Sequence, residues 1–290
     1  MTPIPVQLRV SHAHQLEQMP FDRLGSVLQP GDLLVVNDSA TLPASIDNRL
    51  HYSGQLEDGS WLVEPRQRQG LGTIPLSWRA DQTIELPELG VRKLTAWPES
   101  NRLWRLENAP EPVAYLTRYG QPIRYAHTQR ELPLQAYQSF FARVPGSAEM
   151  PSAGRPFSWE MVQGLDIASL TLHTGVSSLE NHEMPYPEWF QVPEQTWRRV
   201  QAARRVIAVG TTVLRALETA ATGQFHGWTR HIVTPENFRH SVDGLLTGMH
   251  DPTSTHRWML QALLPAEELS RAYQGTFNAH EFGDMHLILK

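Results

Sequence analysis

Residues 204–220, RRVIAVGTTVLRALETA, decide how the second half of the chain is read. An apolar run at 206–209 meets Gly210 and two threonines, after which apolar residues recur at helical spacing. That order predicts a buried strand, a tight turn and a helix capped by Thr211 or Thr212. At about 100° per residue, Thr211, Arg215 and Glu218 share one arc of that helix, while Val213, Leu217 and Ala220 lie together elsewhere. One stripe is expected to pack. The other would present a hydroxyl, a cation and a carboxylate near the end of a strand.

Working outward, "LQPGDLLVVNDSATLPASI" reads as a turn, a buried strand at 33–36 and then polar Asn37 and Asp38. From about 51 to 107 the texture changes to short strand-like pieces separated by Gly, Pro, Asp and Asn turns, the pattern of a small barrel or sandwich. A proline-bearing connector follows, and then helical and strand patterns alternate, which indicates an α/β arrangement. The expected fold is an α/β main domain with a largely parallel sheet, residues 1–48 and 122–290, interrupted by an inserted small all-β barrel, residues 49–121.

The bulk numbers narrow the function classes. In 290 residues, 40% are hydrophobic and 19% charged, the composition of a globular chain. No apolar run approaches the roughly 20 residues of a membrane span, and the start lacks a signal-peptide pattern, so a cytoplasmic protein without membrane association is expected. There is no cysteine, which excludes disulfides, thiolate metal sites and cysteine nucleophiles. A net charge of −5 without a basic block argues against a non-specific nucleic-acid coat, though "RQR" (66–68) and "WRRVQAARR" (197–205) are local candidates. No phosphate-binding or dinucleotide glycine loop, no serine elbow and no paired-histidine helix is present, so no metal is expected.

In open α/β sheets ligands sit beyond the carboxyl ends of the strands. Four such places carry polar residues: Asn37 and Asp38; His173 to Gly175, with Ser177 and Ser178 behind; Gly210 to Thr212; and His250 with Asp251, ahead of Ser254, a cap for the following helix. Taken singly, each is equally a turn or a cap. The small-residue stretch 146–158, which contains Ser152 and Gly154, suits a loop lying against a ligand, and Gly283 and Asp284 precede a final strand.

The ordered set "GDLLVVNDSATLPASI", "YQSFFA", "PSAG", "LTLHTG", "RVIAVGTTVLRALETA", "GWT", "VDGLLTGMHDPTST" and "EFGDMHLIL" resembles the S-adenosylmethionine:tRNA ribosyltransferase-isomerase (QueA) family over about residues 31–289. The resemblance implies an α/β domain carrying a β-barrel. It also implies that S-adenosylmethionine is consumed as a ribosyl donor, as a co-substrate and not a tightly bound cofactor. The acceptor would be a 7-aminomethyl-7-deazaguanine base in tRNA, converted to epoxyqueuosine in the queuosine pathway. Such chemistry calls for proton removal beside a sulfonium, a proton for departing adenine and polar groups around a ribose. Carried over by motif, Asn37, Ser152, Gly154, Gly175, Gly210, Thr211, Thr212, Arg215, Trp228, Thr229, Ser254, Gly283 and Asp284 would bind substrate, while Asp38, His173, Glu218 and His250 would be catalytic. His173 and His250 are the proton-transfer candidates, because histidine titrates near neutrality when unperturbed. A buried, satisfied histidine is the alternative at either place.

Departures from the pattern are substantial. The chain has "PSAGRPFS" with Pro156 where the family has a histidine, "GVSSL" in place of "GAGTF", and "HEMPYPE", which keeps His182 beside Glu183 but puts Pro185 at a second histidine's place. "GMHDPTST" has Gly248 and Thr253 where the family has an asparagine and an arginine, while Asp251 and Glu281 add negative charge. These changes leave two other readings: transfer to a small nucleoside or metabolite, or a non-catalytic nucleoside-binding homologue. A tRNA enzyme should show a positive face, with Arg66, Arg68, Arg198 or Arg199 as candidates. The sequence is silent on oligomeric state.

Overall fold

The computed structural model describes residues 6–69, 72–76, 82–125, 128, 131–176, 185–250, 254 and 256–290. Ser177, Ser178, His182, Glu183, Asp251 and Thr253 lie outside them. The first strands are β1 (Gln7–His12), β2 (Gln15–Pro20), β3 (Asp32–Asn37), β4 (Ser39–Thr41) and β5 (Ser45–Ile46). There follow β6 (Leu50–Gln55), β7 (Trp61–Gln69), β8 (Gly72–Pro75), β9 (Thr83–Leu86), β10 (Gly90–Ala96), β11 (Trp104–Leu106) and helix α1 (Pro112–Tyr119). The next elements are β12 (Val144–Ser147), α2 (Trp159–Val162), β13 (Ile167–Leu172), β14 (Glu188–Gln191), α3 (Glu194–Ala202) and β15 (Arg205–Val209). The last are α4 (Thr211–Ala220), β16 (His226–Thr229), β17 (Gly244–Gly248), α5 (His256–Gln261), α6 (Ala266–Ala272) and β18 (Met285–Leu289).

The main sheet has nine strands in the order β16-β14-β13-β3-β15-β17-β18-β1-β2. Its centre, β13-β3-β15-β17, is parallel, as the alternation of strands and helices predicts. Its flanks are not. β14 and β16 run antiparallel on one side, β18 runs antiparallel to β17, and β2 folds back on β1. Only β18 and β1 restore a parallel pair. The expected largely parallel sheet is therefore a mixed sheet with a parallel centre. β2 follows β1 by a short turn with no helix between, while β18 follows α5 and α6 and still runs antiparallel to β17, so helix alternation does not by itself fix strand direction at the flanks.

Strand β3 shows why its sequence is a continuous apolar run. Leu33 and Val35 enter one core with Ala208, Leu245 and the helices α4, α5 and α6. Leu34 and Val36 enter a second core on the opposite face, with Ile207, Val209, Leu246 and Phe157. Successive side chains point to opposite faces, so a strand covered on both must be apolar throughout.

The second sheet is antiparallel throughout, in the order β5-β6-β7-β11-β10-β9, with β8 on β7. Trp61, Tyr52, Leu94 and Leu106 form its core, into which Tyr115 and Leu116 of α1 insert. No pairing between β5 and β9 closes it among the described residues, so the expected barrel is a curled half-barrel with α1 against its core. Among the described residues, no helix is long and apolar enough to cross a membrane.

Helix α4 departs from expectation in two ways. Its N-cap is Gly210, at φ 104°, and no side chain caps it, so Thr211 and Thr212 lie inside the helix. That φ suits glycine, and an added Cβ would also stand 3.3 Å from Ala153 Cβ. Further, every residue of α4 except Thr212 is buried, Arg215 and Glu218 among them. The polar stripe faces protein.

Candidate functional site

The carboxyl ends of β13, β3, β15 and β17 stand side by side, and three are joined by one amide. Asn37 Nδ2 donates to Leu172 O at 2.8 Å, and its Oδ1 accepts from Leu172 N and Ser39 N, both at 3.0 Å. The same Nδ2 lies 3.4 Å from Thr212 Oγ1, at the start of α4. Asp38 accepts from Thr171 Oγ1 at 2.6 Å, while its carbonyl takes the N–H groups of Arg143 and Val144. Asn37 and Asp38 thus set the geometry of the strand ends. The turn Ser152–Gly154 comes against this corner through Ala153 and Gly210.

Beside it, a cavity of about 230 Å³ opens between the half-barrel and the β13-β14-β16 side of the main sheet. Tyr52, His173, Tyr186, Glu188, Trp189 and Trp228 line it. His173, directly after β13, stacks on Trp189 with centroids 5.0 Å apart and planes 19° apart, and Ser39 Oγ sits 2.8 Å from its Nδ1. Burial lowers the His173 pKa to about 4. Across the cleft Ser53 Oγ meets Tyr186 OH at 2.8 Å, and that hydroxyl donates to Val176 O at 2.6 Å, latching the half-barrel to the main sheet. Gly175 leaves room for the latch: a Cβ there would lie 2.2 Å from Tyr186 OH.

Glu188 and Glu111 are the carboxyl groups of the lining, Glu188 on the main-sheet side. One of its oxygens accepts from Gly175 N at 2.8 Å, and the other pairs with Arg215 Nη1. Burial raises its pKa, against the lowering effect of Arg215 and the Gly175 N–H. Arg215 is spent on the fold: besides Glu188 it donates to His231 O at 3.0 Å and to Tyr186 O at 3.2 Å. It does not line the cavity.

Several expected site residues lie outside this cavity lining. Glu218 is fully buried and accepts from Arg239 N at 2.6 Å, Ser241 N at 2.9 Å and Ser241 Oγ at 2.6 Å, which anchors the 239–241 loop. Thr229 is fully buried against Thr219 Oγ1 at 2.6 Å, behind the Trp228 that does face the cavity. Asp284 accepts from Gln7 N and Asn278 N, both at 2.9 Å, and Gly283 fits a spot where a Cβ would lie 2.0 Å from Asn278 O, so both are joints of the sheet. Ser254 opens α5, accepting from His256 N at 3.3 Å. His250 pairs through Nε2 with Thr247 Oγ1 at 2.8 Å and stacks on His256, away from the cavity lining. Burial, with His256 and His286 nearby, lowers its pKa well below the usual value. Burial thus holds both His173 and His250 below the usual histidine pKa, as in the buried-histidine alternative.

The expected positive face is weak. Arg66 pairs with Glu64 at 2.6 Å, Arg198 with Glu194 at 2.5 Å, and Arg199 with Asp166. Arg68 is exposed, with no side-chain ion pair among the described residues. Sequence reasoning missed Ser39, Ser147, Tyr186, Glu188 and Trp189. The signal available for the last three was "YPEWFQ", an aromatic-rich run of strand-forming residues that pairs with "GWT".

The profile of the queuosine biosynthesis protein family matches residues 6–288. This chain belongs to that family. Among its relatives is the S-adenosylmethionine:tRNA ribosyltransferase-isomerase of Thermus thermophilus, 31% identical over 92% of this chain and 86% of the relative. The protein of the same name from Thermosynechococcus vestitus is 32% identical over 93% and 85%. A crystal structure of the S-adenosylmethionine tRNA ribosyltransferase from Thermotoga maritima covers 100% of this chain and 94% of its own, with a TM-score of 0.52 at 23% identity. That likeness extends the queuosine biosynthesis family's fold across both the mixed sheet and the half-barrel.

Proposed function

We propose that this member of the queuosine biosynthesis family transfers and isomerises the ribosyl unit of S-adenosylmethionine onto a 7-aminomethyl-7-deazaguanine base of tRNA, giving epoxyqueuosine. The observation that carries the proposal is the family match from residue 6 to 288, running through the strand ends and the cavity wall alike. In this reading the α/β domain is 1–48 and 122–290, the insert is 49–121, and the cleft between them is the active site. Trp189, Trp228 and Tyr52 give it flat aromatic surfaces of the kind on which purine-like rings stack. The Glu188 carboxyl, held by Arg215 and Gly175 N, gives the wall fixed acceptor oxygens at its edge. Asn37, Gly175, Gly210, Thr212, Ser152 and Gly154 remain candidate ribose and methionine contacts, around the start of α4, whose backbone N–H groups are free of any side-chain cap.

The chemistry requires a proton to leave the carbon beside the sulfonium, adenine and methionine to depart, and the aminomethyl nitrogen to take up the ribosyl unit with loss of a proton. His173 is neutral at working pH and stands in the cavity with one ring nitrogen open, so it can share a hydrogen with the leaving base or the developing anion. The scarcity of free arginines on the expected face supports a second reading, in which the same donor chemistry serves a small nucleoside.

Release of adenine and methionine from S-adenosylmethionine, measured with and without tRNA carrying the 7-aminomethyl base, tests both. Release that depends on that tRNA and falls steeply with salt supports the first reading. Release with the free base alone supports the second. No release from folded protein in any case removes both.

A further inference from the structure

His173 is held on several sides and open at one atom. Trp189 stacks on its ring, and Gly146 crowds it so closely that a Cβ would lie 2.3–2.4 Å from Cε1, Nδ1 and Nε2. Ser39 Oγ occupies Nδ1 at 2.8 Å. Nε2 has no partner among the described residues and is not sealed from solvent.

Behind Ser39 stands Ser147, its Oγ 2.6 Å from Ser39 Oγ and 2.9 Å from Thr174 N, which donates to it. Both serines are fully buried. Two hydroxyl protons must find acceptors in this chain. If Ser147 donates to Ser39, Ser39 is left to donate to Nδ1 of the imidazole, and every proton is placed. In the reverse order Nδ1–H donates to Ser39 and Ser39 to Ser147, which leaves the Ser147 proton without an acceptor where water does not reach. A buried donor left unmet is the unfavourable outcome.

Resting on the reading of this cleft as the active site, we propose that Ser39 and Ser147 are positioning residues that fix His173 as its Nε2–H tautomer, so that it works in the cavity as a hydrogen-bond donor and not as a base. The lowered pKa agrees, since a ring neutral at working pH has a single proton to place. A donor there stabilises negative charge that develops on a departing base nitrogen, and it needs no proton to be transferred to His173. The first deprotonation beside the sulfonium then falls to a group other than His173.

The tautomer is read directly by long-range ¹H–¹⁵N correlation on protein labelled at histidine, with His173→Gln identifying the signal. The expected pattern is a protonated Nε2 and a bare Nδ1. Ser39→Ala should lose that pattern, and Ser39→Thr, which keeps the hydroxyl, should restore it. Adenine release should follow: kcat falls on the order of tenfold or more in Ser39→Ala with KM little changed, and recovers in Ser39→Thr. Wild-type protein showing Nδ1–H, a measurement that needs no serine variant to fold, overturns the proposal. An unchanged pattern in Ser39→Ala overturns it as well. The expected tautomer in a wild-type protein that releases no adenine supports the serine relay and sinks the catalytic reading, so the two failures are distinct.

Discussion

Replacing Arg215 by Ala tests whether the polar arc of α4 is a binding device or a structural one. The arginine side chain is 4% exposed and its partner Glu188 12%. Truncation removes the cation from a buried pair and leaves Glu188 with one remaining donor, the Gly175 N–H. It also frees the carbonyls of His231 and Tyr186, which Arg215 holds at 3.0 and 3.2 Å. Breaking a buried pair from one side costs about 3–5 kcal/mol. For a chain of this size that lowers the melting temperature by on the order of 10 °C. The loss has a pH signature. Burial already holds the Glu188 pKa above the usual value despite Arg215, and without the guanidinium it rises further. A carboxyl whose folded pKa is raised contributes its stability below the unfolded pKa, and that stability disappears as pH rises through the folded value. The gap between wild type and Arg215→Ala should therefore be narrower near about pH 4.5, where only the lost carbonyl contacts remain, and widen toward about pH 8. Adding Glu188→Gln should recover part of it, with a coupling of roughly 0.5–3 kcal/mol. The assay is calorimetric or fluorescence melting across that pH range. Equal melting temperatures at every pH, with weakened S-adenosylmethionine binding, would refute the reasoning and return Arg215 to the ligand.

Other substitutions separate the remaining roles. Glu218→Ala strips three accepted hydrogen bonds from the 239–241 loop, so it should destabilise by about 2–4 kcal/mol and raise amide exchange there; a stable variant with lost adenine release would restore a catalytic role. Gly146→Ala sets a methyl within 2.4 Å of the His173 ring and should abolish adenine release by displacing it, which full activity would contradict. Gly210→Ala forces a Cβ onto a residue at φ 104° and should lower stability by about 1–3 kcal/mol, as read by denaturant melts. With His173 held neutral down to about 4, the rate of adenine release should show no His173 inflection near the ordinary histidine pKa; an inflection there that disappears in His173→Gln would overturn that assignment.

The parallel centre of the sheet is legible in the sequence because 33–36 and 206–209 are apolar on both faces and end in polar residues. Such runs form where both faces are covered, and the glycine and hydroxyl residues after them mark the strand ends. The short-strand texture of 51–107 likewise marks the second sheet. What escapes is everything that depends on partners distant in the chain. Arg215 and Glu218 sit on one helical arc, but nothing local tells that Glu188 meets one and the 239–241 backbone the other. The Ser39–Ser147–His173 contact spans 134 residues between Ser39 and His173 and has no local period. The sheet flanks are quiet for the same reason: β14 is four residues long and pairs with strands on both sides.

The place of β18 also governs how the molecule can be assembled during synthesis. Met285–Leu289 is the latest strand in the chain, yet it lies inside the main sheet, between β17 and β1. β1 and β2 make their own hairpin, but β18, the other neighbour of β1, is synthesised after every other described strand of the sheet. The half-barrel draws its strands from 45–106 and its covering helix from 112–119, and Ile123, Ala148 and Val176 complete its core, all ahead of β18. The nascent chain thus completes its smaller unit while the larger sheet stands open by one strand, and the cleft between them acquires its full frame only after Leu289 has left the exit tunnel.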